Sequence, residues 1–193
     1  MADTLSVKAQ PSLLTRRRST VLGITIGLVF VVGVLIGDED TPRTLADLLM
    51  LLPLLYLMVA TLGRRDWTWP VLYASLPVLP LLEIQPWVEP AYVLLVIAVG
   101  AILWGGGHGL LHTNDYRLQI AGMVGFGALA GIGLTIDITA AKYVVAAGFV
   151  AHAVWDWVHL TTNRVVDPTY AEFCQAIDIM AAAALALLPI GVL

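Results

Sequence analysis

The sequence predicts an all-α fold, a polytopic transmembrane helix bundle of about seven spans, with the N-terminus inside and the C-terminus outside. Three observations carry this. The 193 residues are 59% apolar and only 12% charged, with a mean hydropathy of +0.87; soluble domains run at about 45–50% apolar and about 25% charged. The apolar residues fall in long continuous stretches rather than in the alternating pattern of a membrane barrel. The charges between those stretches alternate in sign. The composition excludes a soluble globular domain, a disordered chain and a nucleic-acid binder, and the single cysteine, Cys174, excludes a disulfide scaffold.

Residues 1–15 read as a flexible cytoplasmic tail, and 16–193 as a single transmembrane domain. The spans are expected at 20–37, 45–62, 69–84, 91–112, 118–136, 140–160 and 170–193. The first follows Arg16, Arg17 and Arg18. That cluster and the apolar run after it have the look of a signal peptide, but Gly37 leads straight into Asp38-Glu39-Asp40 without a cleavage site, so the helix is read as retained. The third carries Pro70, Pro77 and Pro80; proline removes a backbone donor and crowds the preceding turn, which a membrane bundle tolerates where neighbours satisfy the freed carbonyls.

The loops justify counting that third stretch. Arg64 and Arg65, Arg117 and Arg164 occupy alternate loops, on the side of Arg16–Arg18, whereas Asp38, Glu39, Asp40, Glu83, Glu89 and Asp137 occupy the others, with only Arg43 and Lys142 as basic exceptions there. Lys and Arg favour the cytoplasmic side, and six spans would break the alternation. In the fourth and fifth spans the pairs Gly105/Gly109 and Gly127/Gly131 form G-x-x-x-G spacings, which let helix backbones approach closely. The run Gly122–Gly127 also spells G-x-x-G-x-G, but no strand precedes it, which excludes a nucleotide-binding fold.

Polar side chains inside a bilayer are costly and tend to face the bundle interior. Here they form two strings. His108, His112 and Asp115 end the fourth span; His152, Asp156 and His159 end the sixth. Both strings have i, i+4, i+7 spacing, one face of a helix, and both point toward the cytoplasmic end. The seventh span adds Glu172, Cys174, Gln175 and Asp178 in its first turns, with Asp178 about 12 Å into the helix at 1.5 Å per residue. Imidazole and carboxylate together are the usual ligands of zinc and suit iron equally. His108, His112, His152, Asp156, His159 and Asp178 are therefore the candidate ligands of a divalent metal. Asp156 and Asp178 are the candidate catalytic groups, one orienting a histidine and the other acting as general base. These residues are expected to enclose one pocket open toward the cytoplasm.

The segment His152-Ala-Val-Trp155-Asp156-Trp157-Val-His159 resembles a signature, H-x-x-W-D-x-x-H, of an uncharacterised family of small bacterial integral membrane proteins. Members continue with a proline-containing loop and a helix bearing cysteine and aspartate four apart, matched here by Pro168, Cys174 and Asp178. Many carry a second histidine after the signature, where this chain has Leu160. The resemblance covers residues 148–180 and implies a shared polytopic fold in a bacterial plasma membrane, without an activity. Seven-span membrane hydrolases of the ceramidase and adiponectin-receptor type offer an analogy of chemistry only: their closing histidine pair lies on the last helix, and this last helix has no histidine.

Three functions stay open on the sequence. The first is a metal-dependent membrane enzyme, hydrolase or oxidoreductase, acting on a lipid-like or apolar substrate at the cytoplasmic leaflet. The second is a non-catalytic membrane scaffold with a structural polar network, and the third a proton-coupled transporter using the same stripe as a relay.

Overall fold

The computed structural model describes residues 17–187 and 189; the 1–15 tail, Arg16 and the end of the seventh span lie outside the described residues. The described chain is an all-α bundle. Its helices are α1 (Arg18–Ile36), α2 (Thr41–Leu62), α3 (Thr68–Ser75), α4 (Val78–Glu83), α5 (Pro90–Gly107), α6 (Asn114–Thr135), α7 (Ile138–Thr162) and α8 (Pro168–Leu187). Six of them, all but α3 and α4, are long and apolar enough to cross a membrane, and the chain is an integral membrane protein.

The third expected span is the broken one. Pro77 caps α4, and Pro80 lies inside it, so no single helix runs through 68–83. The segment nevertheless travels from one end of the bundle to the other. At its start, Thr68 Oγ1 accepts from the Asp167 N–H at 3.1 Å and Trp69 Nε1 donates to Thr169 Oγ1 at 3.0 Å, beside the α7–α8 turn. At its finish, Glu83 shares a cavity with Asp40, Asp47, Glu89 and Thr135. Arg17, Arg64, Arg65, Asp115 and Arg164 thus gather at one end and the acidic loops at the other, as the charge alternation requires.

α2 is the axis of the bundle. Of its apolar stretch 72% is buried, against 22% for α1, and α5, α6 and α7 pack around it. α8 packs on α7 on one side and α1 on the other. Glycines set these contacts, but not the pairs expected. A Cβ at Gly23 would lie 2.8 Å from Ala176 Cβ, and one at Gly27 3.0 Å from Met180 Cβ, so the G-x-x-x-G of α1 is the close seam with α8. In α6 the contacts are Gly122, where a Cβ would come within 2.7 Å of the Trp155 ring, and Gly133, 2.6 Å from Val145. Gly131 faces open space, and Gly127 meets only the Met123 methyl. These two line a cavity rather than a helix contact, a correction to the sequence expectation. Gly105 does lie in a close contact, against the Tyr116 ring, but Gly109 is a turn residue at φ 75°.

The turn between α7 and α8 is tight. Asn163 caps α7 in the left-handed region at φ 56°. Val165 follows at φ 67° while Val166 N–H donates to Arg164 O at 2.8 Å, the strained positive-φ form of the γ-turn. A β-branched residue there is an outlier. Arg65, from the loop after α2, holds it by donating to the Asn163 carbonyl at 3.0 Å and to its side-chain oxygen.

Candidate metal centre

The site is built where α7, α8 and α2 meet. α7 runs unbroken through its polar string, so i, i+4 spacing places His152 and Asp156 one turn apart on the buried face. α8 brings Asp178 opposite. All three are fully buried. His152 Nδ1 lies 2.7 Å from Asp178 Oδ2 and 3.6 Å from Asp156 Oδ2. One ligand atom from each residue falls within 4.8 Å of the others, and this is the one such His/Cys/Asp/Glu grouping among the described residues. A residue that the sequence reading overlooked completes the cluster: Tyr56, at the middle of α2, donates its hydroxyl to Asp156 Oδ1 at 2.6 Å.

The polar atoms are unevenly satisfied. His152 Nε2, Asp156 Oδ2 and Asp178 Oδ1 are buried without a partner. An orphaned buried polar atom costs about 1–3 kcal/mol, and more when charged. Two carboxylates beside one imidazole also need positive charge, from one divalent cation or from protons, to be held in a dry interior. The 3.6 Å separation suits two ligands of one tetrahedral ion, which sit about 3.4 Å apart for bonds of about 2.1 Å. The 2.7 Å separation is that of a hydrogen bond between Nδ1 and Asp178, which Nδ1 would have to exchange for the metal on binding an ion. Imidazole and carboxylate are hard-to-borderline donors that fit zinc or ferrous iron.

His159 shares the α7 stripe and is buried, but both of its ring nitrogens are occupied. Nδ1 donates to the Trp155 carbonyl at 2.9 Å, which makes Nε2 the acceptor for the Gln119 amide at 3.1 Å. Its ring packs against Tyr56 at 4.7 Å between centroids. Gln119, from α6, is a second polar residue that the sequence reading overlooked. Both it and Tyr56 carried the same signal, a hydrogen-bonding side chain within an apolar span, Tyr56 well inside one and Gln119 at the start of another.

His108 and His112 stand apart from the cluster and are corrected as ligands of it. The run Gly105-Gly106-Gly107-His108-Gly109 ends α5 rather than continuing it, because glycine is the poorest helix former after proline. His108 becomes the cap residue, exposed, with Nδ1 on the Trp104 carbonyl at 2.8 Å and its ring stacked on Trp104 at 4.3 Å. His112 lies exposed in a 3-10 turn, Leu110–His112. The expected i, i+4, i+7 stripe does not exist, because a new helix starts at Asn114, capped by Thr113. α5 packs on α2, away from α7 and α8. Asp115 pairs with Arg164 at 2.9 Å. The expected opening to the cytoplasm is corrected too: His152, Asp156 and Asp178 have no exposed surface.

The remaining α8 candidates are accounted for. Glu172 accepts from Arg17 at 3.3 Å and from Thr20. Gln175 donates to the Ala153 carbonyl at 3.2 Å. Cys174 is buried among Tyr56, Tyr170 and Ile177, one turn before Asp178 and outside the ligand grouping. On the surface beyond the spans, Arg64 donates to Asp66 at 2.6 Å, and that hydrogen bond holds the exposed Asp66 carboxyl below its ordinary range.

Comparison with protein-family models, with curated proteins and with solved structures returns no match to this chain.

Proposed function

We propose that the protein is a metal-dependent integral membrane enzyme whose centre is one divalent ion, zinc or iron, held by His152, Asp156 and Asp178. The observation that carries this reading is the conjunction of two buried carboxylates and one buried imidazole, each with an unpartnered atom. Three protein ligands leave a coordination position for water or substrate, the pattern of catalytic rather than structural zinc. A metal so held polarises a carbonyl or phosphoryl oxygen and activates water. Tyr56 orients Asp156, and the alanine-lined groove between α7 and α8, which reaches Ala153 and Gln175, is the side from which a lipid-like substrate approaches. The H-x-x-W-D-x-x-H resemblance supports a bacterial plasma membrane as the setting. The arginine-rich end then faces the cytoplasm.

A second reading has its own observation. From His152 polar groups run through Asp156 and Tyr56, whose ring packs edge-on against His159, and on through Gln119 to the Asp115 backbone carbonyl, with the Asp115 carboxylate on Arg164 at the arginine-rich end. The two hydrogen-bonded stretches, Asp156–Tyr56 and His159–Gln119, favour a proton-transfer reading, to which imidazole is suited near neutral pH.

Elemental analysis of purified protein separates these. The metal reading expects close to one equivalent of metal in the wild type, none in His152→Ala, and binding weakened in Asp178→Asn by at least the about 10–100-fold typical of losing an outer-shell partner, with that variant still folded and inserted. A wild type without metal after growth in zinc and iron, together with an Asp178→Asn protein that melts early, overturns it.

A further inference from the structure

At the acidic end the bundle opens between α5 and α6, and the opening is not part of the buried cluster. α5 and α6 pack chiefly on α2 and little on each other, which leaves a cavity of about 1120 Å³. Its mouth carries Asp40, Glu83 and Glu89; its walls are apolar, from Met50, Leu95, Ile102, Met123 and Leu134. Arg43 is also at the mouth, but it is bound to Asp40 at 2.5 Å. Gly127 and Gly131 line the wall and present bare backbone to it rather than to a neighbouring helix.

Asp47 decides what the cavity is for. It is on the second turn of α2, 93% buried by its 7% exposure, and it lines the cavity. Its Oδ1 is buried without a hydrogen-bond partner. A carboxylate within a membrane bundle, facing acids at the cavity mouth where the one cation among the described lining residues, Arg43, is held by Asp40, is a costly arrangement unless a proton or a positive ligand joins it. The acids do not converge as metal ligands: the His152 cluster is the one group of three ligand side chains within 4.8 Å among the described residues. A compact metal ion therefore finds no shared coordination here. A larger cation with an apolar body fits the acidic mouth and floor, the apolar walls and the volume, which is just above the usual range of small-molecule sites, about 300–1,000 Å³.

We propose that this cavity is a binding site for an amphipathic organic cation, its charge on Asp47 and its apolar part against α5 and α6. The negative mouth concentrates cations, and the deep carboxylate selects for positive charge over shape alone. The site is independent of the metal reading, since it shares no residue with the His152 cluster.

The test uses full-length protein in nanodiscs and tritiated tetraphenylphosphonium as the probe. Saturable binding of one probe per chain is expected, unchanged in His152→Ala. Asp47→Asn should weaken it at least about tenfold, the scale of losing one buried charge partner, while raising the melting midpoint of the probe-free protein, because an unpaired buried charge has been removed. Glu83→Gln with Glu89→Gln, both at exposed positions, should weaken it less and leave the midpoint unchanged, so the reading stands on two variants. The anion tetraphenylborate, of the same shape, should not compete. Competition by tetraphenylborate equal to that of unlabelled tetraphenylphosphonium, undiminished binding in Asp47→Asn, or the absence of saturable binding overturns the proposal.

Discussion

Asp156 has its two oxygens in different circumstances: Oδ1 is fixed by the Tyr56 hydroxyl, and Oδ2 faces His152. Tyr56→Phe removes one hydroxyl from a fully buried position and strands Oδ1. The expected loss is about 1–3 kcal/mol of stability, read as a lower melting midpoint, with metal content kept because Tyr56 is not a ligand. A metal-free Tyr56→Phe protein would instead make the phenol part of the ligand set. The sequence made three of the four residues of this cluster legible. His152 and Asp156 lie one turn apart on one helix, where periodicity is reliable, and Asp178 had no basic residue near it on its own helix. Tyr56 was passed over because a tyrosine in an apolar span reads as packing unless its hydroxyl is counted as a donor that needs a partner. His108 and His112 were misread because the same periodicity was carried across three consecutive glycines, where the helix ends.

Among the helices, glycine position separates packing from openness. A Cβ at Gly122 meets the Trp155 ring at 2.7 Å, whereas one at Gly125 meets nothing within 4 Å. Gly122→Val should therefore cost about 1–3 kcal/mol through forced repacking of α6 on α7. Gly125→Ala should be neutral or slightly stabilising, since alanine is the better helix former. Melting of the two variants side by side checks this, and equal midpoints would mean that α6 does not approach α7 as closely as described. Spacing alone identified glycine pairs but not what each pair faces. Gly23/Gly27 has the same i, i+4 form as Gly127/Gly131, yet one is a seam with α8 and the other a cavity wall. The difference is set by which helices surround them, which no local pattern encodes.

Over the whole molecule, charge placement carried more information than hydropathy. The segment 68–83 is too broken to count as a long apolar helix, but the alternation of arginine-rich and acidic loops required a crossing there, and the contacts at its two ends supply one. Cysteine labelling in intact cells checks the sidedness: Asp38→Cys should react with an impermeant reagent from outside, and Thr162→Cys only after permeabilisation. The reverse pattern would invert the bundle. The cavity between α5 and α6 was not legible, because it arises from two helices leaning on a third rather than on each other.

The strained turn at Asn163–Val166 also fixes a count. α7 and α8 meet at His152 and Asp178 only because the connector has its present number of residues and Arg65 clamps it. Adding or removing one residue there, with the start of α8 held in place, would shift the α8 register by one residue, about 100° of helical advance, and turn Asp178 off the facing side. The connector at Asp38–Asp40 faces no such restriction from this cluster. Of the chain's loops, then, the one that joins the two ligand-bearing helices is the one where length itself is the conserved quantity to look for, and an insertion there does the work of deleting a ligand.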